Sequence, residues 1–150
     1  MKQKLNCVLL IDDDEPTTFL SSLFIEEAGC AEKIQIADSG EKALNYLMRI
    51  EENSSANGEL ITPDLIFLDI NMPAMDGWEF LDKYRQLGNR NKGNVIIIML
   101  TTSLNPDDRL KASQIPEISG FENKPLTPEL IDRVLNKYFY NKTSAVELAC

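Results

Sequence analysis

The chain contains no histidine. That absence removes Ser-His-Asp and Cys-His nucleophile pairs, HExxH zinc sites and every histidine general base. Any chemistry must run on carboxylates, hydroxyls, lysine and a metal. Cysteine is scarce too: Cys7, Cys30 and Cys150 are odd in number and match no metal-binding spacing. A reduced, cytoplasmic setting is the simplest expectation. No apolar run approaches membrane-spanning length. The basic start is followed by an apolar stretch that Asp12-Asp13-Asp14-Glu15 cuts short, too early for a secretory signal. Positive charge is the last deficit. Fifteen Lys and Arg against 24 Asp and Glu give a net charge of −9, which argues against nucleic acid or an anionic membrane as partner.

What is present is an alternation of short apolar runs with helical patterns, in a chain of 150 residues, the size of one domain. Strands are expected over 7–11, 33–37, 65–69, 95–100 and 120–122. In the first helix Phe19, Leu20, Leu23, Phe24 and Ala28 recur at helical spacing, with Gly29 as the stop. Asp38 or Ser39 caps a second helix with an apolar face of Ala43, Leu44, Leu47 and Ile50. Asp76 with Glu79 three residues on reads as a capping box, opening a third helix that turns Trp78, Leu81, Tyr84 and Leu87 inward. A polar helix runs from Asn105-Pro106 to about Gln114, and Thr127-Pro128 opens a fifth with Leu130, Ile131, Val134, Leu135 and Tyr138 inward. The segment 52–63 reads as a surface loop.

Five βα units with continuously apolar strands define an α/β fold: a doubly wound, five-stranded parallel sheet, (βα)5, expected in the flavodoxin-like order 2-1-3-4-5. Functional groups of such sheets gather at the carboxyl ends of the strands, at the switch point between strands 1 and 3. Strand 1 ends in Asp12-Asp13-Asp14, strand 3 in Asp69 and strand 4 in Thr101-Thr102, and Lys124-Pro125 follows strand 5. Taken singly, each has an ordinary reading as a cap, a turn residue or a solvated lysine. Together they place several acids, a hydroxyl and one amine on one rim. Two carboxylates about 4 Å apart repel by roughly 4 kcal/mol at an effective dielectric near 20, so the cluster needs a cation or shared protons. Oxygen donors suit Mg²⁺. A metal, a lysine and a hydroxyl together suit a phosphoryl group, with Asp69 as the candidate nucleophile.

The segments "VLLIDDD", "LDINMPAMDGWEF", "IIIMLT" and "NKP", in that order over residues 6–140, resemble the receiver domain of bacterial two-component response regulators, the chemotaxis-regulator fold. The resemblance implies that Asp69 accepts a phosphoryl group. It implies Mg²⁺ as cofactor, held by Asp12, Asp13, Asp69 and the backbone carbonyl of Asn71, with Asp12 acting through water. Thr101 falls on the switch hydroxyl, Lys124 on the phosphoryl-pairing lysine and Phe121 on the aromatic switch position. A cis Lys124–Pro125 bond is expected, since X-Pro bonds keep a trans preference of only about 0.5–1 kcal/mol and a tight turn there aims the amine at Asp69. Thr102 departs from the small residue common after the switch hydroxyl. The long loop before the third strand resembles that of single-domain regulators that partner phytochrome-like or hybrid histidine kinases.

The expected function is a phosphorylation-dependent signalling switch without a separate enzymatic output. It is loaded by a sensor histidine kinase or phosphotransfer protein, since the chain has no histidine of its own. Residues 1–140 are expected to be the receiver domain and 141–150 a tail with no assigned role. No output module is legible after the fifth helix, so output is expected through contact with a downstream protein, on a face that includes Asp107, Arg109, Lys111, Glu122 and Lys137. Two other classes compete with this reading. A haloacid-dehalogenase-like phosphohydrolase wants Asp-x-Asp-x-Thr after strand 1, where this chain has Asp12-Asp13-Asp14-Glu15-Pro16. A flavodoxin-like electron carrier wants a hydroxyl-rich phosphate loop there, and three acids would repel its cofactor.

Overall fold

A computed structural model describes residues 4–52, 61–87, 95–102 and 104–140. The elements are β1 (Leu5–Ile11), α1 (Glu15–Ala28), β2 (Ala31–Ala37), α2 (Gly40–Glu52), β3 (Leu65–Asp69), α3 (Gly77–Arg85), β4 (Ile96–Thr101), α4 (Pro106–Ser113), β5 (Gly120–Asn123) and α5 (Pro128–Leu135), which runs on as a π-helical turn over Asn136–Tyr140. The strands form one parallel sheet in the order β2-β1-β3-β4-β5, as expected. Most of the loop expected over 52–63 and the whole 141–150 tail lie outside the described residues.

Alternating side chains of the central strands feed two cores. Val8, Leu10, Phe67, Ile98 and Leu100 pack with Ile25 of α1 and with Leu130, Ile131, Val134 and Leu135 of α5. Leu9, Ile11, Ile66, Leu68, Ile97 and Met99 face the other way, onto Ala43 and Leu44 of α2 and Phe80, Leu81 and Tyr84 of α3. Strands buried on both faces read as unbroken apolar runs for this reason. Each helix start is capped locally. Ser39 accepts the Lys42 N–H, Asp76 and Glu79 close a capping box, and Asn105 and Thr127 cap α4 and α5, each followed by proline. Gly29 ends α1 in the left-handed region (φ 62°), its N–H donating to Glu26 O at 3.0 Å, a conformation that favours glycine.

The helical spacing of the apolar residues in α1 does not by itself mark the buried face. In α1 the buried residues are Thr18, Ser21 and Ile25, with Phe24 partly buried against the same core, while Phe19 (68 % exposed), Leu20 and Leu23 face out. Periodicity identifies a helix but not its rotational phase. The phase here is set at the first turn, where Asp14 caps the helix by accepting the Thr17 N–H at 3.1 Å and the chain leaves the acidic rim. Small hydroxyl side chains then abut the hollow beside Asp12 and Lys124, and the bulky apolar ones are turned away. α3 differs less: Phe80 is fully buried and Trp78 only partly.

This phase makes a direct expectation for stability. Phe19→Ser should change the unfolding free energy by less than about 0.5 kcal/mol, whereas Ile25→Ala should cost about 2–5 kcal/mol through lost burial and a residual cavity. Urea midpoints at unchanged m-value measure both.

Candidate functional site

The sheet register builds the site. Ile11 of β1 lies opposite Leu68 of β3, so the next residues, Asp12 and Asp69, leave the sheet side by side. Asp69 pairs with Leu100 and Thr101 with Asn123, which brings Thr101 and then Lys124 to the same rim. Asp12, Asp69 and Thr101 are all buried. The Lys124–Pro125 bond is cis, the Lys124 N–H donates to Thr101 O at 2.8 Å, and the lysine side chain turns back over the acids. Its Nζ lies 2.6 Å from Asp12 Oδ2 and 3.3 Å from Asp69 Oδ1.

The acidic triplet divides its labour. Asp14 is the α1 cap; its carboxyl sits below its usual range because the Thr17 hydroxyl and backbone N–H both donate to it. Asp12 accepts the Asp14 N–H on Oδ1 at 2.9 Å and Lys124 on Oδ2. Asp13 is exposed. Oxygens of Asp12, Asp13 and Asp69 all lie within 4.8 Å of one another. Three carboxylates so close, sharing one ammonium, form a hard-oxygen donor set suited to a small divalent cation.

Asp69 carries the cost. Its carboxyl is pushed up to about 6, first by burial and then by the charge of Asp12, against the lowering effect of Lys124 and of the Asn71 N–H. Burial alone would lower Lys124; the hydrogen bond and charge of Asp12, then those of Asp69, outweigh it and leave the amine raised, hence protonated at neutral pH.

The loop after β3 holds the Asp69 carboxylate in place. The Asn71 N–H donates to Asp69 Oδ1 at 3.3 Å. Met75 N donates to Pro73 O at 2.7 Å across Ala74, which sits at φ 68°, a tight three-residue turn that side chains rarely adopt. Gly77 N donates to Ile70 O at 2.8 Å. A Cβ at Gly77 would stand 2.9 Å from Asp69 O and 3.0 Å from Ile70 Cα, so only glycine lets α3 start against the end of β3.

Every residue expected at the site lies on this rim except Phe121, which sits on β5, partly buried, with the Arg109 guanidinium 5.0 Å from its ring centroid. Thr102 is exposed. Sequence reasoning missed the direct pairing of Lys124 with Asp12 and the hydroxyls of Thr18 and Ser21 beside the site. The Asp14-x-x-Thr17 spacing was a readable signal that the third acid is a cap.

A parallel 2-1-3-4-5 sheet with acids at its switch point and a lysine after its last strand defines a signalling domain of the receiver class. A family model for the response regulator receiver domain matches residues 8–136, and the chain belongs to that family. It is similar to a two-component response regulator from Cytophaga hutchinsonii, with 34 % identity and a TM-score of 0.78 over 92 % of this chain and 99 % of that one. It is also similar to the probable methanogenesis regulatory protein FilR2 of Methanothrix harundinacea, with 26 % identity over 87 % of this chain and 79 % of the relative. It matches a tenth of hybrid signal transduction histidine kinase C of Dictyostelium discoideum at 28 % identity, over 71 % of this chain. Receiver domains bind Mg²⁺ at an acidic pocket and work with histidine kinases and phosphotransfer proteins; the Asp12, Asp13 and Asp69 cluster fits such a pocket.

The raised Asp69 carboxyl has a testable sign. The folded protein binds this proton more tightly than the unfolded chain, so the group costs nothing below about pH 4. It destabilises progressively as pH rises through about 6. In EDTA, Asp69→Asn should therefore be more stable than the parent at pH 7 by roughly 1–2 kcal/mol. It should also lose part of the pH slope between about 4 and 6, as read by urea unfolding across that range.

Proposed function

We propose that this protein is a phosphorylation-driven binding switch in which Asp69 takes a phosphoryl group from a phosphohistidine on a sensor histidine kinase or phosphotransfer protein. The observation that carries this reading is the convergence of Lys124 with Asp12 and Asp69 at 2.6 and 3.3 Å beside the exposed Asp13. Asn71 and Lys124 both contact Oδ1 of Asp69, so Oδ2 is the attacking oxygen. Its lone pair forms the new O–P bond, the donor's P–N bond breaks, and the donor imidazole leaves with the electron pair. The product is an acyl phosphate on Asp69.

Asp12, Asp13, Asp69 and the Asn71 carbonyl would hold Mg²⁺, which supplies charge neutralisation for the carboxylates and the incoming phosphoryl oxygens. Lys124 moves from Asp69 Oδ1 to a phosphoryl oxygen, and the Thr101 hydroxyl donates to another. That inward pull on Thr101 empties space beside β4 into which the Phe121 ring turns. The surface that changes lies on α4, β5 and α5. Leu104, Leu110, Asp107, Arg109, Lys111 and Lys137 are exposed there, and Glu122 pairs with Arg133 at 3.1 Å. A downstream protein that binds one arrangement better than the other reads the phosphorylation.

Residues 1–140 act as the receiver unit in this reading, and 141–150 have no assigned role. No described helix is long and apolar enough to cross a membrane, which is compatible with a cytoplasmic partner of a sensor kinase. The domain's chemistry is confined to its own phosphorylation and dephosphorylation.

Incubation with a small acyl-phosphate donor and Mg²⁺ should add one phosphoryl group by intact mass. Asp69→Asn should add none, and Asp13→Ala should lose the Mg²⁺-dependent rate by at least tenfold. A phosphoryl group added to the Asp69→Asn protein at the parent rate would refute the assignment.

A further inference from the structure

Helix α4 has little apolar surface with which to hold its place. Of Pro106–Ser113 only Ala112 is buried, and Leu110 is 59 % exposed. Its long cations are placed unusually. The Arg109 guanidinium lies 5.0 Å from the ring centroid of Phe121 on β5, and the Lys111 ammonium 4.5 Å from that of Trp78 on α3. Residues two apart on an α-helix point about 200° apart, so the two contacts grip opposite flanks of α4. One ties it to the strand that carries the aromatic switch position and the other to the helix that starts at the acceptor loop. Phe121 has no hydroxyl with which to fix its ring by a hydrogen bond, so the guanidinium and the surrounding packing are what hold it.

We infer that Arg109 and Lys111 are positioning residues whose two cation–π contacts strap α4 in the unphosphorylated arrangement, Arg109 restraining the Phe121 ring until Asp69 is phosphorylated. This rests on the switch reading above. A ring that turns inward leaves the guanidinium behind, so the Arg109 contact exists in one state only and biases the equilibrium between them. The Lys111 contact reports the same movement from the other flank. Arg85 and Glu117, paired at 3.0 Å, tether the segment after α4 to α3.

Exposed cation–π contacts are weak, so the expected bias is modest and measurable. Arg109→Met, which keeps length and removes charge, should tighten the apparent Mg²⁺-dependent affinity for beryllofluoride about two- to five-fold. Arg109→Lys should restore parent behaviour. Lys83→Met, the same charge change on exposed α3, should leave the affinity unchanged. In a Phe121→Leu background Arg109→Met should have no further effect, the signature of a direct coupling. Trp78 is the only tryptophan, so its emission reads the other strap. Beryllofluoride with Mg²⁺ should shift it in the parent, and Lys111→Met should abolish the shift. Unchanged affinity in Arg109→Met, or full additivity with Phe121→Leu, overturns the strap. So does a Trp78 signal indifferent to beryllofluoride while intact mass shows Asp69 phosphorylated; that outcome leaves the switch reading standing. Failure of Asp69 to take any phosphoryl group overturns both.

Discussion

The structure is organised around a repulsion. Asp12, Asp13 and Asp69 crowd their carboxylate oxygens within 4.8 Å of one another, two of the three residues are buried, and one lysine answers them. Water screens such a cluster on a surface, but burial strips much of that screening from Asp69 and lifts its carboxyl to about 6. The fold tolerates this because the charges converge only at the strand ends, while the apolar sheet beneath supplies the burial that offsets them. The unrelieved charge is also what makes the site receptive to a cation.

Rigid backbone holds that convergence in place. The β1–β3 register sets Asp12 beside Asp69, and the β4–β5 register carries Thr101 and Lys124 to the same edge. The loop from Ile70 to Asp76 is pinned by the turn at Ala74, by Gly77 against the end of β3 and by the capping box of α3. The three acids and the amine therefore belong to elements anchored by the sheet and its tight turns. The opposite holds for α4, polar, short and gripped by side-chain cations more than by a core. A stiff site beside a loosely held helix suits a protein that converts one covalent event into a change of surface.

The sequence by itself determined the architecture and the identity of the rim. Five apolar runs separated by amphipathic or capped helical patterns admit few arrangements once right-handed crossovers are required. The acids at the ends of the first and third runs, the Thr101 hydroxyl and the Lys124-Pro125 pair could then fall only on one edge. Local signals were equally legible: Asp76 and Glu79, Thr127 and Pro128, and Gly29 act through neighbours a few residues away, so their roles are written in spacing. Only the tertiary structure decided what depends on orientation. The outward turn of Phe19, Leu20 and Leu23 was not readable, because a period of 3.6 residues gives an apolar arc but not the direction of the sheet, and the Asp14 cap at the acidic rim chose Thr18, Ser21 and Ile25 instead. Nor was the pairing of Asp12 with Lys124 beside the exposed Asp13, or the seat of Arg109 on Phe121. Each is a contact between residues distant along the chain, settled by where the packed elements leave room.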